Sequence, residues 1–150
     1  MEKQKSAGAI IYYLDKNKPL FLLLRNTLKS TYWEFPKGKI ENKESIEETV
    51  RREISEETCL DKLFFIPGFQ RVLKWFYQFE GKTIFKETVY LLAKIKEEDK
   101  MKVRINHEHE KFEWMPYEKA MLELKKKTNK EMLQEANKSI FEYEQQKSLF

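Results

Sequence analysis

The spacing of apolar positions changes along the chain, and each change marks an element. Ala9 to Leu14 and Leu20 to Arg25 are short, dense apolar runs, read as two strands joined by the polar turn around Asp15 to Pro19. From Ile46 the period becomes four, through Val50 and Ile54, which is the stripe of an amphipathic helix. Ser45, with Glu48 three residues on, has the form of a capping box and sets the helix start at Ile46. Leu63 to Phe79 and Thr83 to Ile95 are rich in aromatic and β-branched residues around Glu80-Gly81-Lys82, the pattern of a long hairpin. Val103 to Asn106 and Phe112 to Met115 are short extended candidates. Tyr117 to Lys127 and Lys130 to Lys147 regain helical spacing, the second through Leu133, Ala136, Ile140 and Tyr143. A loop from Thr31 to Lys37, held extended by Pro36, leads toward the first helix. Strands first, one helix among them and helices at the end predict an α/β fold with a mixed sheet packed between helices. No linker, repeat or low-complexity segment divides residues 1–150, so a single domain is expected.

The first helix carries an unusual placement of charge. Glu53 and Glu57 project within roughly 60° of the apolar stripe, with Glu56 beside them. A purely solvating acidic face would lie opposite the stripe, where Glu48 and Ser55 fall. Acids gathered at the edge of a buried face repel one another unless a cation neutralises them, and a hard divalent ion such as Mg²⁺ prefers carboxylate and phosphate oxygens. The competing reading is a solvated helix in which Arg52 pairs with Glu56 at i, i+4.

Composition narrows the classes. One hundred and fifty residues suffice for one real core. Basic residues exceed acidic ones, 29 to 25, which suits a polyanionic substrate but falls short of a nucleic-acid signature. A lone cysteine excludes an intrachain disulfide and fits a reducing compartment, so a cytoplasmic location is expected. The run Ala7 to Leu14 lacks a cleavage signature and passes directly into Asp15-Lys16-Asn17-Lys18, reading as a strand and not a signal peptide; no stretch is long enough to span a membrane.

Other residues suggest substrate handling. Lys37 and Lys39 flank Gly38 just before the acidic helix, placed to meet non-bridging phosphate oxygens as charge develops; the alternative is a pair of solvated loop charges. Leu73, Trp75, Tyr77 and Phe79 share one strand face, and Trp75 or Tyr77 is the candidate to stack on a base, with burial in the core as the alternative. Lys74, Lys82 and Lys86 add positive charge to the same hairpin. His107-Glu108-His109-Glu110 contains zinc-ligand residue types, but nothing elsewhere in the sequence completes a set. Glu108 reads instead as a distant acid able to complete a magnesium site or deprotonate water.

Gly38, five residues, Glu44, seven residues, then Arg52-Glu53-Ile54-Ser55-Glu56-Glu57-Thr58-Cys59-Leu60 resembles the Nudix box. Cys59 alone departs, standing where that pattern has Gly. A side chain in the left-handed conformation that such a Gly adopts costs about 1–2 kcal/mol, so either the turn is less left-handed here or strain is tolerated. The resemblance implies an α/β/α sandwich and hydrolysis of a nucleoside diphosphate linked to another moiety. Within that superfamily the chain is similar to the asymmetrical diadenosine tetraphosphate hydrolases, through Trp33 to Gly38, Gly68 to Arg71 with Trp75, Lys86 with Thr88-Val89-Tyr90, and His107-Glu108-His109 with Phe112 and Trp114. Lys39 and Phe112 stand where those enzymes often have His and Tyr. The resemblance implies a metal, Mg²⁺ or alternatively Mn²⁺, held by Glu53, Glu56, Glu57 and Glu108 with the Gly38 carbonyl. It implies Arg52 as the residue orienting the acids, Glu44 as a structural brace, and Lys37, Lys39, Trp75, Tyr77, Lys86 and Phe112 as substrate contacts. The partner is then a small dinucleoside polyphosphate, neither a membrane nor preferentially a nucleic acid. The rivals are a Nudix hydrolase of RNA 5′-triphosphate ends or oxidised nucleoside triphosphates, and a non-catalytic nucleotide-binding domain.

Overall fold

A computed structural model describes residues 2–26 and 32–149. Seven strands form one mixed sheet: β1 (Glu2–Asp15), β2 (Lys18–Asn26), β3 (Trp33–Glu34), β4 (Lys37–Lys39), β5 (Phe64–Phe79), β6 (Lys82–Lys94) and β7 (His109–Pro116). Helices α1 (Ile46–Thr58), α2 (Tyr117–Glu123) and α3 (Lys127–Leu149) complete it. β1 pairs in parallel with β6, while the other pairings are antiparallel. Alternate residues of β1 serve opposite cores. Ala7, Ala9, Ile11 and Tyr13 pack with Val50 and Ile54 of α1, whereas Ile10 and Tyr12 pack toward Ala120, Leu133, Ala136 and Ile140 of α2 and α3. The expected α/β/α sandwich is therefore present, with the sheet buried on both faces.

The sheet is split where the site forms. β1 pairs with β2 at Tyr12–Asp15 but with β4 at Ser6–Gly8 along that same edge, and β3 takes up β2 at Leu24 and Arg25. β3 and β4 thus fill the opening between two diverging strands. Gly8 makes this crossing possible, because a Cβ there would lie 2.4 Å from the Pro36 carbonyl oxygen. The hairpin β5–β6 turns at Glu80 and Gly81, both at positive φ, and a bulge between Phe65 and Gln70 carries Gly68 at φ 85°. No helix among the described residues is long and apolar enough to cross a membrane.

Four local expectations are adjusted. The extended candidate at Val103–Asn106 is not a strand; a 3₁₀ turn over Glu97–Lys102 precedes it, and buried Val103 anchors irregular chain against the α1-side core. The segment expected as a loop contributes two short strands, and Thr31 lies outside the described residues. α2 ends at Glu123, since Leu124 is extended, and α3 starts at Lys127, earlier than its apolar stripe suggests.

Candidate active site

α1 begins as its sequence directs. The Ser45 hydroxyl accepts from the Glu48 N–H and the Glu48 carboxylate accepts from the Ser45 N–H, both at 3.1 Å. The residue that caps its C-terminal end, Cys59, adopts φ 66°, ψ 9°, and donates its N–H to the Ser55 carbonyl at 3.0 Å. The left-handed turn is thus kept with a side chain in place, and strain is the alternative that holds. The thiol is exposed.

Within this frame the acids divide by partner. Glu44 accepts from the Glu41 N–H at 2.9 Å, the Thr49 hydroxyl at 3.1 Å, and Arg52 Nε and Nη2 at 2.7 and 2.9 Å. The Arg52 hydrogen bonds, joined by the Glu41 amide, hold its carboxyl down at about 2. Arg52 also donates to Glu53 at 2.9 Å, to the Lys39 carbonyl at 2.8 Å and to Glu56 at 3.4 Å. One guanidinium therefore fixes loop, helix and two acids together, a use of the planar five-donor fork that lysine cannot copy. Glu53 lies directly against Gly38: a Cβ there would come within 1.9–2.2 Å of the Glu53 carboxyl group. A side chain at position 38 would push the Glu53 carboxylate out of this place.

Glu57 stands apart. Only 5% exposed, it leaves Oε2 buried with no hydrogen-bond partner among the described residues. Burial above all, then the charges of Glu53 and Glu108, push its carboxyl up to about 8, with Lys37 opposing. Glu53 is also raised, first by burial, with Glu56 and Glu108 adding to it against Arg52. Ligand atoms of Glu57, Glu108 and His109 lie within 4.8 Å of one another. His109 is buried, with Nε2 3.5 Å from a Glu34 oxygen and Nδ1 without a partner among the described residues. Glu34 is held below the usual carboxylate range; burial opposes this, but His109, Lys37 and Asn26 outweigh it. A buried, unpaired carboxylate beside two other acids is costly as it stands. A hard divalent cation fits this donor set and removes the cost. A zinc site does not fit, because His107 is exposed and only His109 joins the group.

From Glu34 and Lys37 a cleft of about 780 Å³ runs across the α3 face of the hairpin. Arg71, Leu73, Trp75, Tyr77, Lys86 and Tyr90 line its sheet side, and Lys126, Thr128 and Asn129 its helix side. Lys86 and Lys126 each place an ammonium 5.6 Å from the Trp75 ring centre, in cation–π range. Tyr77 donates its hydroxyl to Gln4 at 3.1 Å. Tyr90 is buried at the floor, its phenol held protonated by burial and by the charges of Glu34 and Glu57.

The structure therefore gathers Glu53, Glu57 and Glu108, attaches the exposed Glu56 through Arg52, and sets Lys37, Trp75, Tyr77 and Lys86 along one adjoining cleft. Lys39 and Phe112 do not line that cleft. Lys39 is exposed, contributing its carbonyl to Arg52, and Phe112 sits opposite Leu24 on the α1 face of the sheet. Sequence reasoning gave no site role to Glu34, Arg71 or Lys126, and weighed His109 only as a zinc ligand. Proximity of Glu34 to Lys37 along the chain was the one available signal; Arg71 and Lys126 come together only through folding.

Comparison with known proteins agrees with this fold. The NUDIX domain family matches residues 2–136, and the chain belongs to that family as a Nudix hydrolase. It is similar to the pig bis(5′-nucleosyl)-tetraphosphatase [asymmetrical], 32% identical over 144 residues that cover 91% of this chain and 95% of the relative. A solved Caenorhabditis elegans Ap4A hydrolase binary complex superposes with a TM-score of 0.76 at 30% identity, covering 87% of this chain and 93% of the other. An RNA pyrophosphohydrolase of Nitratiruptor is 29% identical over 134 residues, covering 78% and 82%.

Proposed function

We propose that the chain hydrolyses diadenosine tetraphosphate asymmetrically, to ATP and AMP, in the cytoplasm and with Mg²⁺ or Mn²⁺ bound. The observation that carries this reading is the continuity of the acid cluster, through Glu34 and Lys37, with a cationic cleft containing Trp75 and Tyr77. A nucleoside held on the hairpin places the acids off-centre along a symmetrical phosphate chain, which favours unequal products. Glu53, Glu56, Glu57 and Glu108 would hold the metal, with the Gly38 carbonyl as a further oxygen and His109 beside them. When bound, the metal supplies charge neutralisation at the phosphates and acidifies water. Arg52 orients Glu53 and Glu56, Lys37 meets phosphate oxygens, and Lys86 flanks the base-stacking ring. Glu108 would serve either the metal or, alternatively, as acceptor of a proton from the attacking water. The pig and nematode relatives support the substrate.

Chromatography of products formed in ¹⁸O-labelled water tests the reaction: ATP plus labelled AMP is expected, and two ADP would overturn the off-centre placement. Comparing Trp75→Ala with Tyr77→Ala tests the stacking residue, with KM raised roughly tenfold for the one that holds the base. The similarity to an RNA pyrophosphohydrolase favours a second reading, removal of pyrophosphate from RNA 5′ ends, which steep salt dependence on a long RNA would support. A silent nucleotide-binding domain is disfavoured by the intact acids.

A further inference from the structure

A second, smaller cavity of about 250 Å³ opens beside the hairpin cleft, lined by Asn26, Tyr32, Trp33, Glu34, Lys125, Lys126 and Asn129. It shares Glu34, Lys126 and Asn129 with the larger cleft, so these three residues form the wall where the two spaces meet. Each space has its own aromatic surface: Trp75 and Tyr77 on one side, half-exposed Tyr32 and partly buried Trp33 on the other. Glu34 lies within reach of His109 and the acid cluster. From these juxtapositions we propose that the Tyr32–Trp33 cavity is a subsite for the second nucleoside of a dinucleoside polyphosphate, with the phosphate chain crossing the shared wall beside Lys126. This rests on the hydrolase reading above.

The chemistry of the wall suits that path. A phosphate chain passing between the two aromatic surfaces crosses Glu34, whose charge repels it, so cations are needed on the same line. Lys37 from the sheet side and Lys126 from the turn just before α3 supply them. Lys125 adds a third cation that faces the smaller cavity alone. The amides of Asn26 and Asn129 are donors and acceptors of the type that read a base edge or ribose hydroxyl. The cavity is close in size to one nucleoside and too small for a second nucleotide with its phosphates.

The test compares diadenosine tetraphosphate with adenosine 5′-tetraphosphate, which has the same phosphate chain and lacks the second nucleoside. Steady-state kinetics with Mg²⁺ would be measured for wild type, Tyr32→Ala and Tyr32→Phe. Tyr32 lines only the smaller cavity and is exposed enough to be removed without opening the core. Wild type is expected to favour the dinucleotide in kcat/KM. Tyr32→Ala should lower kcat/KM for the dinucleotide about tenfold through KM, leave adenosine tetraphosphate unchanged, and be rescued by Tyr32→Phe, as stacking on one ring predicts. Equal loss on both substrates, or no loss on either, would overturn the subsite while leaving the hydrolase reading intact. Failure of wild type to cleave either compound would overturn the hydrolase reading, and the subsite with it.

Discussion

Glu44 and Glu57 stand at opposite ends of one short segment, and their surroundings could hardly differ more. Glu44 has three donor groups around its carboxylate and titrates near 2. Glu57 has a buried oxygen with no partner among the described residues, and burial pushes its carboxyl up to about 8. The first is an acid used as a joint: it ties the loop before α1 to Arg52 and so aims the acids beyond. The second is an acid held ready for something the protein does not itself supply. The contrast teaches that presence in a sequence motif does not define a role, whereas satisfaction of hydrogen bonds does. A carboxylate whose needs are met inside the chain stabilises; one left unmet at a cleft is available for function.

The sharpest way to break this comparison is Glu57→Gln. It preserves shape, removes a charge from the cluster and relieves repulsion from Glu53 and Glu108. We expect kcat with Mg²⁺ to fall by about a hundredfold or more while the fold survives, since metal-centred stabilisation is worth several kcal/mol. Near-normal turnover by a folded Glu57→Gln protein would remove Glu57 from the metal site.

The same pair makes opposite predictions for stability against pH. Glu57 has a folded-state pKa above its unfolded value near 4.5, so the folded protein binds this proton more tightly. Its contribution is present below about pH 4.5 and is lost as pH rises through about 8, on the order of 5 kcal/mol at the upper limit. Metal-free protein should therefore lose stability from pH 5 to 8.5 relative to Glu57→Gln, in denaturant titrations at each pH. Mg²⁺ should recover the loss, most at the alkaline end, because binding displaces the proton. A flat difference between the two proteins would mean that Glu57 is not buried as a strained acid.

Glu44→Gln sharpens the other side. Its folded pKa is depressed to about 2, so its contribution is present above about pH 4.5 and is lost as pH falls toward 2. The variant should melt below wild type at pH 7, with the gap closing in acid. Activity should drop by a factor of roughly three to ten, through looser placement of Arg52 and thus of Glu53 and Glu56. A loss as deep as that of Glu57→Gln would mean that Glu44 itself acts in the chemistry.

Much of this was legible in the sequence because the information was local. Ser45 and Glu48 define the helix start by contacts three residues apart, and the Ile46, Val50 and Ile54 stripe shows which edge of the helix Glu53 and Glu57 occupy. The hairpin was equally readable from strand composition and the Glu80-Gly81 turn. Long-range geometry was not. Divergence of β1 from β2 brings Glu34, Lys37 and His109 to the acids, and no periodicity reports it. Lys126 reaches Trp75 only because α2 stops at Glu123 and the chain turns back into α3. Phe112 fell on the wrong face for the cleft for the same reason: strand alternation gives two faces, and the fold decides which one faces the site.

Cys59→Gly should have the smallest effect, and it tests whether the joint and the cluster are separable from the helix end that follows them. Cys59 holds φ 66°, where a Cβ costs about 1–2 kcal/mol. Glycine relieves that strain but gains freedom in the unfolded chain, which offsets it by about 0.4–1 kcal/mol. The net expectation is a stability unchanged or raised by up to about 1.5 kcal/mol in urea titrations, with kcat and KM within a factor of two of wild type. The thiol is exposed, and the nearby backbone contact, its own N–H to the Ser55 carbonyl, does not depend on the side chain. Should activity collapse in a folded Cys59→Gly protein, the turn after α1 would have to be counted with Glu57 as part of the working site, and the division between satisfied and unsatisfied regions would move one turn further along the chain.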